Sequence, residues 1–192
     1  MKKVLIVLAI IFVVLLVVAL GIVGWVKTTY NSLVTVDEEV NGAWAQVENV
    51  LQRRYDLIPN LVETVKGYAS HENEVLTRVT EARASVGSAG TPAERIKAEG
   101  EMSNALARLM VVVENYPQLK ANQNFIMLQD QLEGTENRIS VERGRYNDIV
   151  RNYNQSIRRF PQSIIAGIFH FERREFFEAT GAAQEAPQVN FN

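Results

Sequence analysis

The first part of the chain is an unbroken run of apolar residues. Val4 to Val26 covers 23 residues without a charged side chain. A helix of that length spans about 34 Å, enough to cross a hydrocarbon core of about 30 Å. A cleaved signal peptide is the alternative, but its apolar core is shorter and ends at a small-x-small cleavage site. We therefore predict an uncleaved transmembrane helix over residues 4–26, with Trp25 and Tyr30 in the interfacial belt.

Beyond residue 27 the apolar positions recur in alternate steps of three and four, which predicts amphipathic helices. No Pro or Gly-rich break follows Gly24, so the anchor should run directly into the first of these helices. Pro59 lies inside the pattern, and a proline removes a backbone donor and clashes with the preceding turn. The sequence therefore predicts two helices, at about 28–57 and 59–86. The first stripe consists of Leu33, Val36, Val40, Trp44, Val47 and Leu51.

Two further helices follow a small, Gly-containing loop at 85–90. Thr91 is a suitable N-cap, Pro92 suits the first helical position, and Glu94 completes a capping box. This third helix should close at Pro117, and a fourth should run over about 119–159. No strand-like alternation occurs after residue 30. We therefore predict an all-α chain in which the transmembrane helix precedes an antiparallel up-and-down four-helix bundle.

The end of the chain has a different composition. Five of the eight phenylalanines fall between 160 and 177. These predicted interaction residues are Phe160, Phe169, Phe171, Phe176 and Phe177. We expect the segment to fold back on the bundle or to form a contact between subunits, and contact with a lipid surface is a third possibility. The predicted domains are thus the anchor at 1–27, the bundle at 28–159, and an aromatic segment with an extended tail at 160–192.

Composition excludes several functions. The chain has a net charge of −2, and residues 28–192 carry 17 basic and 22 acidic side chains, a net of −5. An acidic domain is a poor partner for nucleic acid. The absence of cysteine removes disulfides and thiolate catalysis, and His71 and His170 are too few for a His-rich zinc site. No catalytic, metal-binding or cofactor-binding motif is present, so we predict a protein that is not an enzyme.

Charged residues interrupt the apolar stripes at three positions. Arg54 lies on the stripe before Pro59, and Glu136 and Arg143 lie seven residues apart on the fourth helix. An unpaired buried charge costs several kcal/mol, so we predict that Arg54 lies near an acidic residue of another helix, with Glu136 the leading candidate. Such a polar network would fix the register of the helices. A polar ligand pocket and simple solvent exposure are the alternatives.

Longer motifs resemble those of the LemA family of bacterial membrane proteins. They are RRYDLIPNLVETVKGYASHE at 53–72, EAR at 81–83, ENYPQLKANQNF at 114–125, YN at 146–147 and 153–154, and RRFP at 158–161. The resemblance covers nearly the whole chain. It implies an N-terminal membrane helix followed by a four-helix up-and-down bundle. The family has no assigned biochemical activity, a related branch is associated with bacterial membrane organelles, and no catalytic residue can be carried over.

The sequence leaves three classes of function to compare. The first is a membrane-anchored scaffold that binds itself or another membrane protein, with the lipid bilayer as a constant partner. The second is a sensor that binds a small ligand in or on the bundle. A bundle hydrolase is the third, but it usually needs Glu-x-x-His pairs, which are missing here. We predict a protein of the inner membrane. Lys2 and Lys3 precede the span and only Lys27 follows it closely. Because positive charges favour the cytoplasmic side, this difference of one or two charges favours a cytoplasmic N-terminus and a domain outside the cytoplasm.

Overall fold

The structure, a computed structural model, describes residues 2–177. Within this range all regular structure is helical and no strand occurs, so the all-α prediction is confirmed. The helices are α1 (Lys2–Lys66), α2 (Asn73–Ser88), α3 (Pro92–Val113), α4 (Pro117–Lys120), α5 (Gln123–Ser156) and α6 (Gln162–Ile168).

Helix α1 contains both the apolar run and the first amphipathic stripe. It is 65 residues long, so the predicted direct continuation of the apolar segment into the first helix is confirmed. The side chains from Leu5 to Val23 are exposed, whereas Leu33, Val40 and Val47 are buried. In length and composition the apolar part of α1 meets the requirements of a membrane span.

The predicted helix boundary at Pro59 is wrong. Helix α1 passes through Pro59 and ends at Lys66, and the chain turns over residues 67–72 before α2 begins. A proline at position 59 leaves the carbonyl of Tyr55 without its helical donor. Here Nε of Arg83, on α2, donates to the Tyr55 carbonyl oxygen at 3.3 Å, and the Arg83 guanidinium lies 3.9 Å from the centre of the Tyr55 ring. The helix therefore continues because a side chain of its neighbour replaces the missing amide.

Other boundaries follow local capping. The predicted capping box at the start of α3 is confirmed, because Thr91 Oγ1 accepts from the Glu94 amide and the Glu94 carboxylate accepts from the Thr91 amide. The predicted helix over 119–159 is divided into α4 and α5. Asn122 stands before α5, and its Oδ1 accepts from the Phe125 amide at 3.1 Å, as an N-cap residue does. The predicted loop at 85–90 is shorter than expected, since α2 extends to Ser88.

The chain divides into two compact units. The first comprises Met1–Gly42 and Asp148–Arg174, and the second comprises Ala43–Asn147 and Glu175–Asn192. The predicted partition at 27 and 159 stays a prediction. The core of the second unit takes large buried side chains from α1 to α5, namely Ile58, Leu61, Val65, Leu76, Val79, Val86, Met102, Leu109, Leu119, Phe125 and Leu132. In the first unit the buried apolar side chains include Leu33, Val40, Val150, Tyr153, Ile157 and Ile165.

The contact at Pro59 gives a prediction. Replacing Arg83 with Ala should lower the free energy of unfolding by about 1.5–3 kcal/mol, the typical value of a hydrogen bond that involves a charged group. In a Pro59→Ala background the restored amide of residue 59 can donate to the Tyr55 carbonyl. The cost of Arg83→Ala should then be smaller, while the loss of the contact with the Tyr55 ring is common to both backgrounds. Chemical denaturation of the four proteins measures the difference, and equal costs in the two backgrounds would contradict the explanation.

Candidate functional site

Arg54 is a buried cation at the junction of three helices of the second unit. Only 3% of this residue is exposed. Nη1 donates to Glu136 Oε2 on α5 at 2.8 Å, and Nη2 donates to Ser103 Oγ on α3 at 2.8 Å. The structure thus brings Arg54 and Glu136 into direct contact. The Glu136 side chain is 51% exposed, so part of this carboxylate remains in water.

Glu99 is the member of this site that the sequence analysis missed. It lies on α3 with 1% exposure, between two arginines. Its carboxylate oxygens are 3.8 Å from Arg54 Nη1 and 3.9 Å from Arg95 Nε, which is longer than a hydrogen bond. Within residues 2–177, Oε2 of Glu99 has no hydrogen-bond partner. A signal was present in the sequence, because Glu99 is three residues from both Ile96 and Met102 and therefore shares the apolar face of α3.

Burial determines the electrostatics of Glu99. Removal from water raises the pKa of its carboxyl group, and this effect exceeds the opposing attraction of Arg54, Arg95 and Arg143. Glu136 adds a smaller repulsion in the same direction as burial. We refer to Arg54, Arg95, Glu99, Glu136 and Arg143 as the charge cluster.

Arg143, the third residue of the predicted polar network, interacts with the other charges of the cluster at a longer distance than Arg54 does. No carboxylate lies within 4 Å of its guanidinium in the described part of the chain, so it forms no salt bridge with Glu136 there, and its role in the network stays a prediction. Instead the guanidinium carbon lies 4.1 Å from the centre of the Phe177 ring. Its Nε and Nη2 are buried and have no hydrogen-bond partner among residues 2–177. Burial lowers the pKa of Arg143, and the nearby Glu136 opposes that change.

A groove of about 320 Å³ opens beside the charge cluster. Its polar end is formed by Arg54, Ser103 and Glu136, and its apolar wall by Leu106, Met110 and Leu132. No group of three or more potential metal ligands occurs in the part of the chain that the structure describes. The groove therefore offers a charged end and an apolar wall. Arg54 and Glu136 are paired with each other, whereas Glu133, which also lines the groove, accepts a hydrogen bond from Gln129.

Residues 175–177 of the second unit are held by side chains of α5. The amide of Asn147 pairs with the main chain of Phe177: Oδ1 accepts from the Phe177 N–H at 2.7 Å, and Nδ2 donates to the Phe177 carbonyl at 2.9 Å. The neighbouring Tyr146 hydroxyl donates to the carbonyl of Glu175 at 3.1 Å. The asparagine side-chain amide donates one hydrogen bond and accepts one, as a backbone peptide group does. Residues 175–177 are therefore bound through their main chain.

The same arrangement occurs in the first unit. The Asn154 amide pairs with the N–H and carbonyl of Arg174 at 3.0 and 2.9 Å, and the Tyr153 hydroxyl donates to the carbonyl of Glu172 at 2.9 Å. The Arg174 guanidinium donates to Asp37 on α1, with Nη2 at 2.9 Å from Oδ1. The two Tyr-Asn pairs noted in the sequence are therefore two copies of one main-chain recognition motif.

The five predicted interaction phenylalanines have different environments. Phe177 is buried and Phe171 is half-buried, with its ring 6.0 Å from that of Tyr30. Phe169 is 46% exposed and its ring lies 4.6 Å from that of Tyr30. Phe160 and Phe176 are exposed. Burial of aromatic side chains therefore explains the position of only some of these five residues.

The raised pKa of Glu99 predicts a pH effect on stability. Between its ordinary value of 4.5 and the higher value in the folded state, the native protein binds more protons than the unfolded one, so stability falls as pH rises through this window. The variant Glu99→Gln should lack this part of the fall, and the exposed Glu101→Gln is the matched control. Unfolding free energies measured across the window would contradict the assignment if wild type and Glu99→Gln gave parallel curves.

Known proteins resemble the chain over most of its length. The sequence model of the LemA family matches residues 43–191. Magnetosome protein MamQ 2 of Paramagnetospirillum magneticum is 28% identical over 188 residues, which cover 83% of this chain and 69% of that protein. Magnetosome protein MamQ of Magnetospirillum gryphiswaldense is 26% identical over 202 residues, covering 88% and 74%. Protein LemA of Metamycoplasma hominis is 21% identical over 151 residues, covering 78% and 69%. The match to the family model includes the charge cluster and both Tyr-Asn pairs, and the chain belongs to the LemA family.

Proposed function

We propose that this protein is a helical scaffold anchored in the bacterial inner membrane, which acts by binding itself or another membrane protein and has no catalytic activity. The observation that carries the proposal is the composition of α1. One helix contains an exposed apolar stretch long enough to span a bilayer and also supplies buried side chains such as Leu33, Val47 and Ile58. The membrane segment and the first core helix are therefore a single element of structure.

A four-helix bundle is the proposed form of the scaffold. Support comes from the core of the second unit, where α1, α2, α3 and α5 all contribute fully buried apolar side chains. The proposed bundle is antiparallel and up-and-down, as short connections between successive helices favour. Its register would be set by the charge cluster, which links α1, α3 and α5 through Arg54.

Two relatives support a role at membranes. MamQ 2 and MamQ are magnetosome proteins by name. A membrane-bound scaffold is a function that a helical protein without catalytic groups can perform in such a setting. The proposed orientation, with the N-terminus in the cytoplasm and the helical domain outside, follows from the lysines that precede the span.

Self-association and orientation can be tested together, because the chain has no cysteine. Single-cysteine variants of the full chain place one thiol at the exposed Phe176 or, as a matched control, at the exposed Ser140. In intact spheroplasts a membrane-impermeant maleimide should label Ser140→Cys without lysis. A short bismaleimide should cross-link Phe176→Cys into a dimer and leave Ser140→Cys monomeric, since an exposed aromatic side chain is a typical association residue.

Each outcome has a separate meaning for the proposal. Labelling of Ser140→Cys only after lysis would reverse the proposed orientation. Equal cross-linking at both positions would indicate random collision, and cross-linking at neither would remove self-association through Phe176. Release of the protein from membranes by alkaline carbonate would contradict the anchor itself.

The groove beside Glu136 supports a second candidate, a sensor that binds a small ligand. Its carboxylate end and apolar wall suit a molecule with an apolar body and a cationic group. Ala107 also lines the groove and is exposed, so Ala107→Phe would fill the space without removing a charged group. Thermal unfolding with aromatic and aliphatic amines separates the candidates. A rise in Tm for wild type that is lost in Ala107→Phe would favour the sensor, and unchanged Tm values for both would favour the scaffold.

A further inference from the structure

Helix α6 has apolar residues on both faces. Ile165 and Ala166 are buried in the first unit, at 2% and 3% exposure. Ile164 and Ile168, one helical turn apart, face outward at 50% and 62% exposure. A helix on the surface of a water-soluble domain normally has polar residues on its outer face.

Further exposed apolar side chains precede and follow α6 in the sequence. Phe160, four residues before Ile164, is 82% exposed, and Phe169, which follows Ile168, is 46% exposed. We call Phe160, Ile164, Ile168 and Phe169 the outer apolar patch. Several large exposed apolar side chains within ten residues are typical of a contact surface.

Contacts within the first unit give the position of the outer apolar patch along α1. The Phe169 ring lies 4.6 Å from that of Tyr30. Tyr30 is four residues beyond Val26, the last residue of the apolar run, which is about 6 Å along a helix. Each headgroup region is about 5–8 Å thick, so Phe169 would lie at headgroup depth if residues 4–26 span the bilayer.

A second contact shows in which direction the segment runs. Arg174 pairs with Asp37, seven residues beyond Tyr30 and thus about 10 Å further from the span. From Arg174 back to Phe169 the chain therefore approaches the end of α1 that enters the bilayer. The outer apolar patch belongs to the part of the segment nearest the membrane.

The charges around the patch also fit a membrane surface. Residues 158–174 contain four arginines, Arg158, Arg159, Arg173 and Arg174, and one acid, Glu172. Their net charge is +3, whereas the whole chain carries −2. Arg158, Arg159 and Arg173 are exposed. Apolar and aromatic side chains flanked by arginines are typical of segments that lie in the interface of anionic bilayers.

We infer that the outer apolar patch, with its flanking arginines, is a second membrane contact that inserts into the headgroup region of the bilayer spanned by α1 and prefers anionic lipids. The bilayer is the occupant because the patch adjoins the point where α1 leaves the hydrocarbon core. This inference rests on the proposed anchor. The protein would then contact the membrane at two places, the transmembrane part of α1 and the outer apolar patch at α6.

The absence of native cysteine permits a direct test on the full chain. Single-cysteine variants Ile164→Cys and Ile168→Cys carry the environment-sensitive fluorophore NBD in vesicles of phosphatidylglycerol and phosphatidylethanolamine. Leu15→Cys reports on the span, and Val111→Cys, an equally apolar and exposed position of the second unit, is the matched control. All four side chains are exposed, so labelling should leave the fold unchanged. Spin-labelled lipids with a shallow or a deep nitroxide serve as quenchers.

We expect deep quenchers to act on Leu15→Cys and shallow quenchers to act several-fold more strongly on Ile164→Cys and Ile168→Cys than on Val111→Cys. Replacing phosphatidylglycerol with phosphatidylcholine, or Arg158 and Arg159 with Ser, should reduce the quenching at Ile168→Cys and leave Leu15→Cys unchanged. Quenching at Leu15→Cys without quenching at Ile168→Cys would overturn the inference and leave the anchor in place. No quenching at Leu15→Cys would overturn the anchor. A blue-shifted but unquenched signal at Ile168→Cys would show that protein covers the patch and would also overturn the inference.

Discussion

The buried guanidinium of Arg54 is the constraint on which the second unit depends. Removing an arginine from water costs several kcal/mol unless its donors are satisfied. Arg54 meets this requirement with Glu136 on α5 and Ser103 on α3, and Glu99 supplies a second negative charge at 3.8 Å. Sliding α1 by one turn, about 5.4 Å, would separate Arg54 from all of these groups. The apolar core tolerates more variation, because hydrophobic contacts are not directional.

Arg54 also explains why Glu99 can be buried at all. A carboxylate with 1% exposure and no hydrogen bond to one oxygen is costly on its own, and its raised pKa reflects that cost. The arginines around it reduce the cost without removing it. We interpret the cluster as a device for specificity of packing rather than for net stability, because buried ion pairs often give little net stabilisation.

Much of the fold follows from local patterns in the sequence. The continuation of the apolar segment into the first amphipathic helix and the capping box at Thr91 could be predicted, because both depend on residue types at short spacing. The contact of Arg54 with Glu136 could also be predicted, because each of these charges interrupts the apolar stripe of its own helix. The passage of α1 through Pro59 was not, since it depends on Arg83 from another helix, 24 residues away along the chain. The predicted helix over 119–159 contained no break at Asn122, because a single asparagine does not by itself interrupt a helical pattern; its side chain caps α5. Glu99 was missed because a charged residue is by default assigned to the solvent.

The C-terminal segment shows a different limit of sequence reasoning. Hydrophobicity alone predicts that its five phenylalanines are all buried to a similar extent. The structure instead holds the segment by main-chain pairing with Asn147 in one unit and Asn154 in the other, which leaves Phe160, Phe169 and Phe176 exposed. Hydrogen bonds to the backbone do not require a particular side chain on the residue that is bound. They leave the exposed side chains available for contacts outside the fold.

The most direct test of the account is the coupling free energy between Arg54 and Glu136. A double-mutant cycle with Arg54→Ala, Glu136→Ala and the double variant, unfolded in a mild detergent, isolates their interaction. The account predicts a favourable coupling of about 0.5–3 kcal/mol, towards the lower end because Glu136 is half-exposed. Additivity of the two single substitutions to within about 0.3–0.5 kcal/mol would contradict it.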